Sequence, residues 1–267
     1  MPRRRVPDDQ EVTEIVEIFE DVFFEFGPWD DDPLIVPEKR DICDEYAAQV
    51  RSFLSRRNLT FPRWKELSSA TRCKLHGLAA SSPIQDDQYV SLAVTANIFD
   101  EQRERAVQKY GSLREWVSRE WLGRIRRYIT DYFVILEPRR SRGAAAWRYR
   151  DGPRGLRRFD IHSILILRND RELHSRLQNA IRRMHPNYGE EEIPRERFPL
   201  FKRYRPSYAK RQYSSGWARY CAKRPDLWPI HQDVTGDTPF LVSQNVSFTT
   251  RAIYEYIRGL AGDVEIL

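Results

Sequence analysis

The sequence predicts an α+β fold: an antiparallel or mixed central sheet with helices packed on it, preceded by a helical N-terminal extension. Three observations predict it. Apolar residues recur at helical spacing through the first 85 residues. From residue 88 the pattern turns to short runs rich in β-branched and aromatic residues. Two of those runs are joined by a basic, glycine-bearing stretch and others by amphipathic segments, so hairpins mix with helical crossovers.

The N-terminal elements come first. Ile15, Ile18, Phe19, Val22, Phe23 and Phe26 give a helix over 10–26 that stops near Gly27-Pro28. Ile42, Tyr46, Val50, Phe53 and Leu54 share a face of a second helix over 38–57. A third runs over 64–78, ended by Gly77 and the Ser81-Ser82-Pro83 breaker. Residues 88–95 read as a strand, and a polar connection follows. Leu113, Trp116, Val117, Glu120, Leu122, Ile125 and Tyr128 pattern a helix over 112–128, with Trp121 widening its apolar stripe. Ser112 and Glu115 have the spacing of a capping box at its start. A strand over 132–137 closes at Pro138. The basic connection 139–158 carries Gly143, Gly152 and Gly155 and reads as a hairpin with a flexible tip. A strand over 159–167 follows, then a helix to about Met184 capped by Asn169 or Asp170. A strand over 198–204, a short helix over 214–223 ended by Pro225, and a closing helix over 247–260 complete the chain.

Composition bounds what this fold can do. The chain has 267 residues, 40% hydrophobic and 12% aromatic, enough for a sizeable core. Charged residues make up 31%, and the formal net charge of +6 is uneven. Residues 1–50 hold 15 Asp and Glu against 5 Lys and Arg, a net of −10. The remainder therefore carries 40 basic against 24 acidic side chains, or +16. An acidic helical extension over 1–85 and a basic domain over 86–267 follow. A basic body is an electrostatic footprint for nucleic acid or an anionic membrane, although a merely solvated surface has the same composition. Cys43, Cys73 and Cys221 are scattered, which argues against a thiolate zinc site and fits a reducing compartment. Arg3-Arg4-Arg5 precedes no apolar run, so no signal peptide is expected. No window reaches ~18 consecutive apolar residues. The expectation is a soluble, cytoplasmic protein with no membrane partner.

The strand Phe159-Asp160-Ile161-His162-Ser163-Ile164-Leu165-Ile166-Leu167 holds the first candidate chemistry. Asp160 and His162 are two apart, so on a strand they point to the same side. Two metal ligands projecting from one rigid element would suit a phosphate-processing site. A solvated Asp and a hydrogen-bonded His on a buried strand give the same pattern.

The order of motifs resembles the HUH endonuclease superfamily: the rolling-circle replication initiators, relaxases and single-strand transposases. The resemblance rests on a strand ending in Glu137-Pro138, the strand bearing Asp160-Ile161-His162, and the later Tyr220-Cys221-Ala222-Lys223. It covers residues 88–260, with Val90 to Thr95 as the first motif strand. Residues 1–85 have no counterpart. In that family a His-hydrophobe-His strand holds a divalent metal and a helix supplies the tyrosine that attacks DNA. The resemblance therefore implies Asp160, His162 and Glu137 as metal ligands, with Mg²⁺ or Mn²⁺ as cofactor. It implies Tyr220 as nucleophile, leaving a 5′-phosphotyrosine, with Lys223 one helical turn away to steady the phosphate or the phenolate. Asp160 stands where the family has its first histidine. A carboxylate suits a hard cation, so metal binding survives the replacement or the chain has lost cleavage and kept DNA binding. Tyr220 packing beside Trp217 is the structural alternative, and Tyr213, Tyr254 and Tyr256 are weaker substitutes as nucleophile. His174 and His185 read as surface or capping histidines.

Single-stranded or hairpin DNA would need a basic groove with aromatic platforms. Arg139, Arg140, Arg142, Trp147, Arg148, Arg150, Arg157 and Arg158 supply one such mixture, with Tyr149 and Arg154. Lys202, Arg203, Arg205, Lys210 and Arg211, interleaved with Tyr204, Tyr208 and Tyr213, supply another. The expected activity is metal-dependent nicking and joining that starts rolling-circle replication or mobilises a plasmid or other element. Two alternatives remain: a DNA-binding protein without cleavage, and an interaction protein. In the latter the acidic arm recruits a partner such as a host replication protein. That arm also has the charge to mimic nucleic acid and cover the basic surface.

Overall fold

Runs of branched apolar residues bounded by breakers build the central sheet. The computed structural model describes residues 5–26, 37–81, 89–98, 100–138, 159–184, 200–204, 228, 232–236 and 238–262. Three helices come first: α1 (Asp9–Phe26), α2 (Pro37–Arg57) and α3 (Ser69–Ser81). Strand β1 (Tyr89–Ile98) leads to α4 (Asp100–Tyr110), α5 (Leu113–Trp116), a π-turn (Val117–Trp121), α6 (Leu122–Ile125) and a 3₁₀ turn (Arg126–Tyr128). Strands β2 (Asp131–Pro138) and β3 (Phe159–Arg168) precede α7 (Arg171–Arg182) and β4 (Leu200–Tyr204). Helix α8 (Gln232–Thr235), β5 (Phe240–Val242) and α9 (Gln244–Gly262) end the order. The α+β class expected from the sequence is observed.

The five strands lie in the order β4-β1-β3-β2-β5. β1 pairs antiparallel with β4 from Ser91↔Tyr204 to Thr95↔Leu200, and β2 with β3 from Asp131↔Ile166 to Pro138↔Phe159. The first four strands and the helices between them form a β-α-β-β-α-β unit with interleaved crossovers. β3 is central, so its side chains are buried on both faces and it reads as a nearly continuous apolar run. One face is apolar except for Ser163, whose buried hydroxyl donates to Val94 O at 3.4 Å. Val90, Leu92, Val94, Ala96 and Ile98 of β1 join Phe159, Ile161, Leu165 and Leu167 of β3. Against them pack Ala106 of α4, Leu113, Val117, Trp121, Leu122 and Ile125 of the next helical run, and Leu177 and Ile181 of α7. The opposite face carries the polar side chains discussed below.

Local signals set the helix ends. Ser112 Oγ accepts from Glu115 N at 3.2 Å, and Asp170 Oδ1 accepts from Glu172 N at 2.7 Å and Leu173 N at 3.3 Å, so both expected caps are in place. Asp8 and Glu11 close a capping box on α1, at 2.9 and 3.0 Å. α2 ends at Asn58 in the left-handed region, φ 53°, with Asn58 N bonded to Ser55 O and Leu59 N to Leu54 O. That pair of bonds is a Schellman motif. Gly111, φ 80°, ends α4 in the same region.

Three expectations need correction. Gly77 does not end a helix: it is buried inside α3, and the stretch from Trp64 begins as a 3₁₀ turn before that helix starts at Ser69. The polar connection after β1 contains helix α4. Its apolar face is only Ala106 and Val107, too narrow to show as periodicity. The helix expected over 112–128 is continuous in direction but changes pitch. Leu113, Val117, Trp121 and Ile125 recur every four residues, a spacing that drifts about 40° per step on an α-helix. The π-turn over Val117–Trp121 absorbs that drift and lets all four be buried. β5 and α8 had no sequence expectation. The short helix expected over 214–223 and the tip of the hairpin over 139–158 lie outside the described residues.

By internal contacts the described chain forms two compact units. One is helical and comprises α1, α2, α3 and α9. The other holds the sheet and α4 to α8, with boundaries at 89–90 and 241–242. α9, at the far end of the sequence, packs with α2 and α3. In the helical unit Tyr254 of α9 stacks on Phe19 at 5.1 Å and meets Phe61 and Trp64 edge-on at 5.3 and 5.4 Å. Its hydroxyl donates to Pro62 O at 2.9 Å.

Candidate functional site

The polar face of the sheet is built by strand alternation. On β3, Asp160 and His162 fall two apart and so share this face. The register sets Glu137 of β2 opposite Asp160, and Ile135 opposite His162. Pro138, which has no N–H to donate, ends the β2 ladder beside them. Thr95 of β1 reaches the same point from the other side of β3.

Two contacts define the geometry. His162 Nε2 lies 2.7 Å from Glu137 Oε2, and His162 Nδ1 lies 3.1 Å from Thr95 Oγ1. The imidazole is 2% exposed and the Glu137 side chain 12%. The ring shares a hydrogen bond with the threonine hydroxyl through Nδ1 and sets Nε2 against the carboxylate. These two contacts fix the orientation of the ring. Glu137 and Asp160 face each other across the strands, where Cβ atoms stand about 4.5–5.5 Å apart. Two carboxylates at that spacing repel, and a nearby cation offsets the repulsion.

The donor set suits a hard divalent ion in type: two carboxylates and one imidazole on adjacent strands. Among the described residues, however, no group of three His, Cys, Asp or Glu side chains is arranged around a common point for a metal ion. Glu137 and His162 are in direct contact, and an ion held by both would enter that contact.

The other site expectations divide by position. Lys202 and Arg203 stand on β4 opposite Ala93 and Leu92. Tyr220, Lys223, Arg139, Arg140, Arg142, Trp147, Arg148, Arg150, Arg157, Arg158, Arg205, Lys210 and Arg211 lie outside the described residues, as do His185 and Tyr213. Tyr254 is removed as a substitute nucleophile: it is 1% exposed, its hydroxyl is committed to Pro62, and burial pushes its phenol well up from the ordinary value. His174 is half-buried on α7. Cys43 and Cys73 are buried free thiols, pushed up by burial, and so are poor nucleophiles.

Thr95 is the functional candidate that sequence reasoning passed over. Like Ser91 it is a hydroxyl in a largely apolar strand, and its role depends on β1 lying beside β3, a long-range pairing that the local pattern does not encode. Among the described residues no helix is long and apolar enough to cross a membrane. Comparison with protein-family models, with curated proteins and with solved structures finds no match.

Proposed function

We propose that this chain is a metal-dependent DNA strand-nicking and joining protein of HUH-like type, acting at the polar mouth of β2 and β3. The observation that supports this reading best is the convergence of Glu137 and His162 at 2.7 Å, with Asp160 in register opposite Glu137. Glu137, Asp160 and His162 would hold Mg²⁺ or Mn²⁺. When bound, that ion would supply Lewis-acid polarisation of the scissile phosphate. Thr95 holds the His162 ring so that Nε2 faces Glu137. Tyr220 attacks the phosphorus; the bond to the 3′ oxygen breaks, and the phenolic proton is replaced by the phosphoryl group while the 3′ oxygen leaves as a hydroxyl. The reverse step rejoins the strand. Lys223 offers positive charge to the phosphate or phenolate. The basic segments 139–158 and 202–211 bind the single-stranded or hairpin substrate at a site serving rolling-circle replication or element mobilisation.

A second reading, DNA binding on the same sheet without cleavage, is favoured by one observation. The acid–imidazole contact is closed, and no three-ligand group stands among the described residues. A labelled single-stranded oligonucleotide library incubated with Mn²⁺ separates the two. The nickase reading predicts shortened oligonucleotide and a covalent protein adduct, both lost in Tyr220→Phe. Absence of an adduct with the wild type leaves the second reading; an adduct unchanged in Tyr220→Phe removes Tyr220 as the nucleophile and the binding-only reading with it.

A further inference from the structure

We propose that the sheet unit carries a separate anion-binding surface, a corner of four arginines at the other end of β2 and β3, and that its partner is the phosphate backbone of a nucleic acid. β2 opens at Asp131 opposite Ile166, and Thr130 N donates to Ile166 O at 2.8 Å. The turn Arg126–Tyr128 enters β2 at this end. β3 leaves it through Arg168 into α7, which starts at Arg171 and packs against the same turn. Arg126, Arg127, Arg168 and Arg171 are thereby gathered at one end of the sheet, and all four are exposed.

Their charges are uncommitted in a way that those of their neighbours are not. Arg119, Arg124 and Arg176 each pair with a glutamate one turn back: Glu115, Glu120 and Glu172. None of the four corner arginines forms an ion pair with a described residue. Of the acids at this end, Asp131 is buried and Asp170 spends its carboxylate capping α7. Arg127 lies over the Tyr128 ring at 4.8 Å, which orients its guanidinium before any partner arrives. The eight residue steps from Asp160 to Arg168 span about 27 Å of strand, so this surface is distinct from the Glu137–His162 mouth.

Phosphate backbone is the partner the chemistry favours. All four side chains are arginine, whose planar fork matches a phosphate bidentately. Duplex DNA offers one phosphate per ~1.7 Å of axis, enough for each arginine to find its own. A membrane surface would also need apolar side chains to insert. Among the described residues the exposed large hydrophobics are Val6 and Phe248, both in the helical unit.

The inference shares with the proposed function only the premise of a nucleic-acid partner, and equilibrium binding tests it without cleavage. Fluorescence anisotropy of the full chain with labelled duplex and single-stranded oligonucleotides would be measured across a salt series. Wild type and the quadruple variants R126A/R127A/R168A/R171A and R126K/R127K/R168K/R171K would be compared, with thermal melts to establish folding. The alanine variant should bind at least tenfold more weakly at low salt. Its duplex slope of log K against log salt should be shallower by about 3–4, as loss of four phosphate contacts requires. The lysine variant should keep most of the slope. Wild-type affinity and slope in the folded alanine variant would overturn the proposal. So would no wild-type binding to either oligonucleotide, or tighter wild-type binding to phosphatidylserine-containing vesicles than to DNA. Loss of nicking with this binding intact would count only against the nickase reading.

Discussion

His162 sits between a carboxylate and a hydroxyl, and each contact has a separable consequence. Thr95→Val keeps the shape of the side chain and removes the hydrogen bond to Nδ1. It should lower unfolding free energy by about 1 kcal/mol in urea titrations. A larger effect on divalent-ion affinity, 10-fold or more, is expected because the ring loses its orientation. Unchanged stability and unchanged ion affinity together would mean that the contact has no role. His76 is a different kind of histidine. It is 4% exposed beside Trp64 at 5.3 Å, and desolvation, with Arg72 adding to it, lowers its pKa to about 4. The folded value lies below the unfolded one of about 6.5, so the unfolded state binds more protons between them. Stability is therefore complete above about pH 6.5 and is lost as pH falls towards 4. The loss attributable to His76 between pH 7 and pH 5 is about 2 kcal/mol. Urea titrations at the two pH values should show that difference shrinking by this amount in His76→Leu; an identical acid loss in the variant would contradict it. Asp160 and His162 were legible as a same-face pair because strand alternation is local. Thr95 and the Glu137–Asp160 opposition were not, because register is set by partners far along the chain.

At the scale of elements, the strongest local chemistry was the easiest to read. Ser112 and Asp170 cap the helices their positions suggested, and the β2 and β3 runs announce themselves by branched residues. α4 was hidden because only Ala106 and Val107 of its eleven residues face the core. The π-turn in Val117–Trp121 showed only as a stripe that was too wide. The end of α2 offers a direct measurement. Asn58 takes a left-handed conformation at the position where glycine is least strained. Asn58→Gly should leave stability unchanged or raise it by up to about 1 kcal/mol, and Asn58→Ala should lower it by about 1 kcal/mol. Equal melting curves for the two variants would argue against the motif. At the other end of the chain, Tyr254→Phe removes the bond to Pro62 O and should cost about 1 kcal/mol, whereas Tyr254→Ala should cost about 3–5 kcal/mol through lost aromatic packing. A negligible cost for Tyr254→Ala, read by urea denaturation, would place that ring outside the core.

The whole molecule joins a helical unit, assembled from both ends of the sequence, to a sheet unit inserted between them. Sequence order alone suggested an extension followed by a domain; the pairing of α9 with α2 and α3 is a tertiary fact that no local period carries. On the sheet unit, the polar mouth at Glu137 and the arginine corner at Arg168 lie at opposite ends of the same two strands. A nucleic acid spanning both would be anchored at one end while its phosphate is processed at the other. Everything catalytic in that account depends on a divalent ion entering between Glu137, Asp160 and His162. Titration of Mn²⁺ into the protein, followed by electron paramagnetic resonance of the free ion, measures this directly. The account predicts one site in the wild type that is lost in His162→Ala and weakened at least tenfold in Asp160→Asn, with both variants folded. A wild type that binds no Mn²⁺, or binds it equally well after both substitutions, would contradict it.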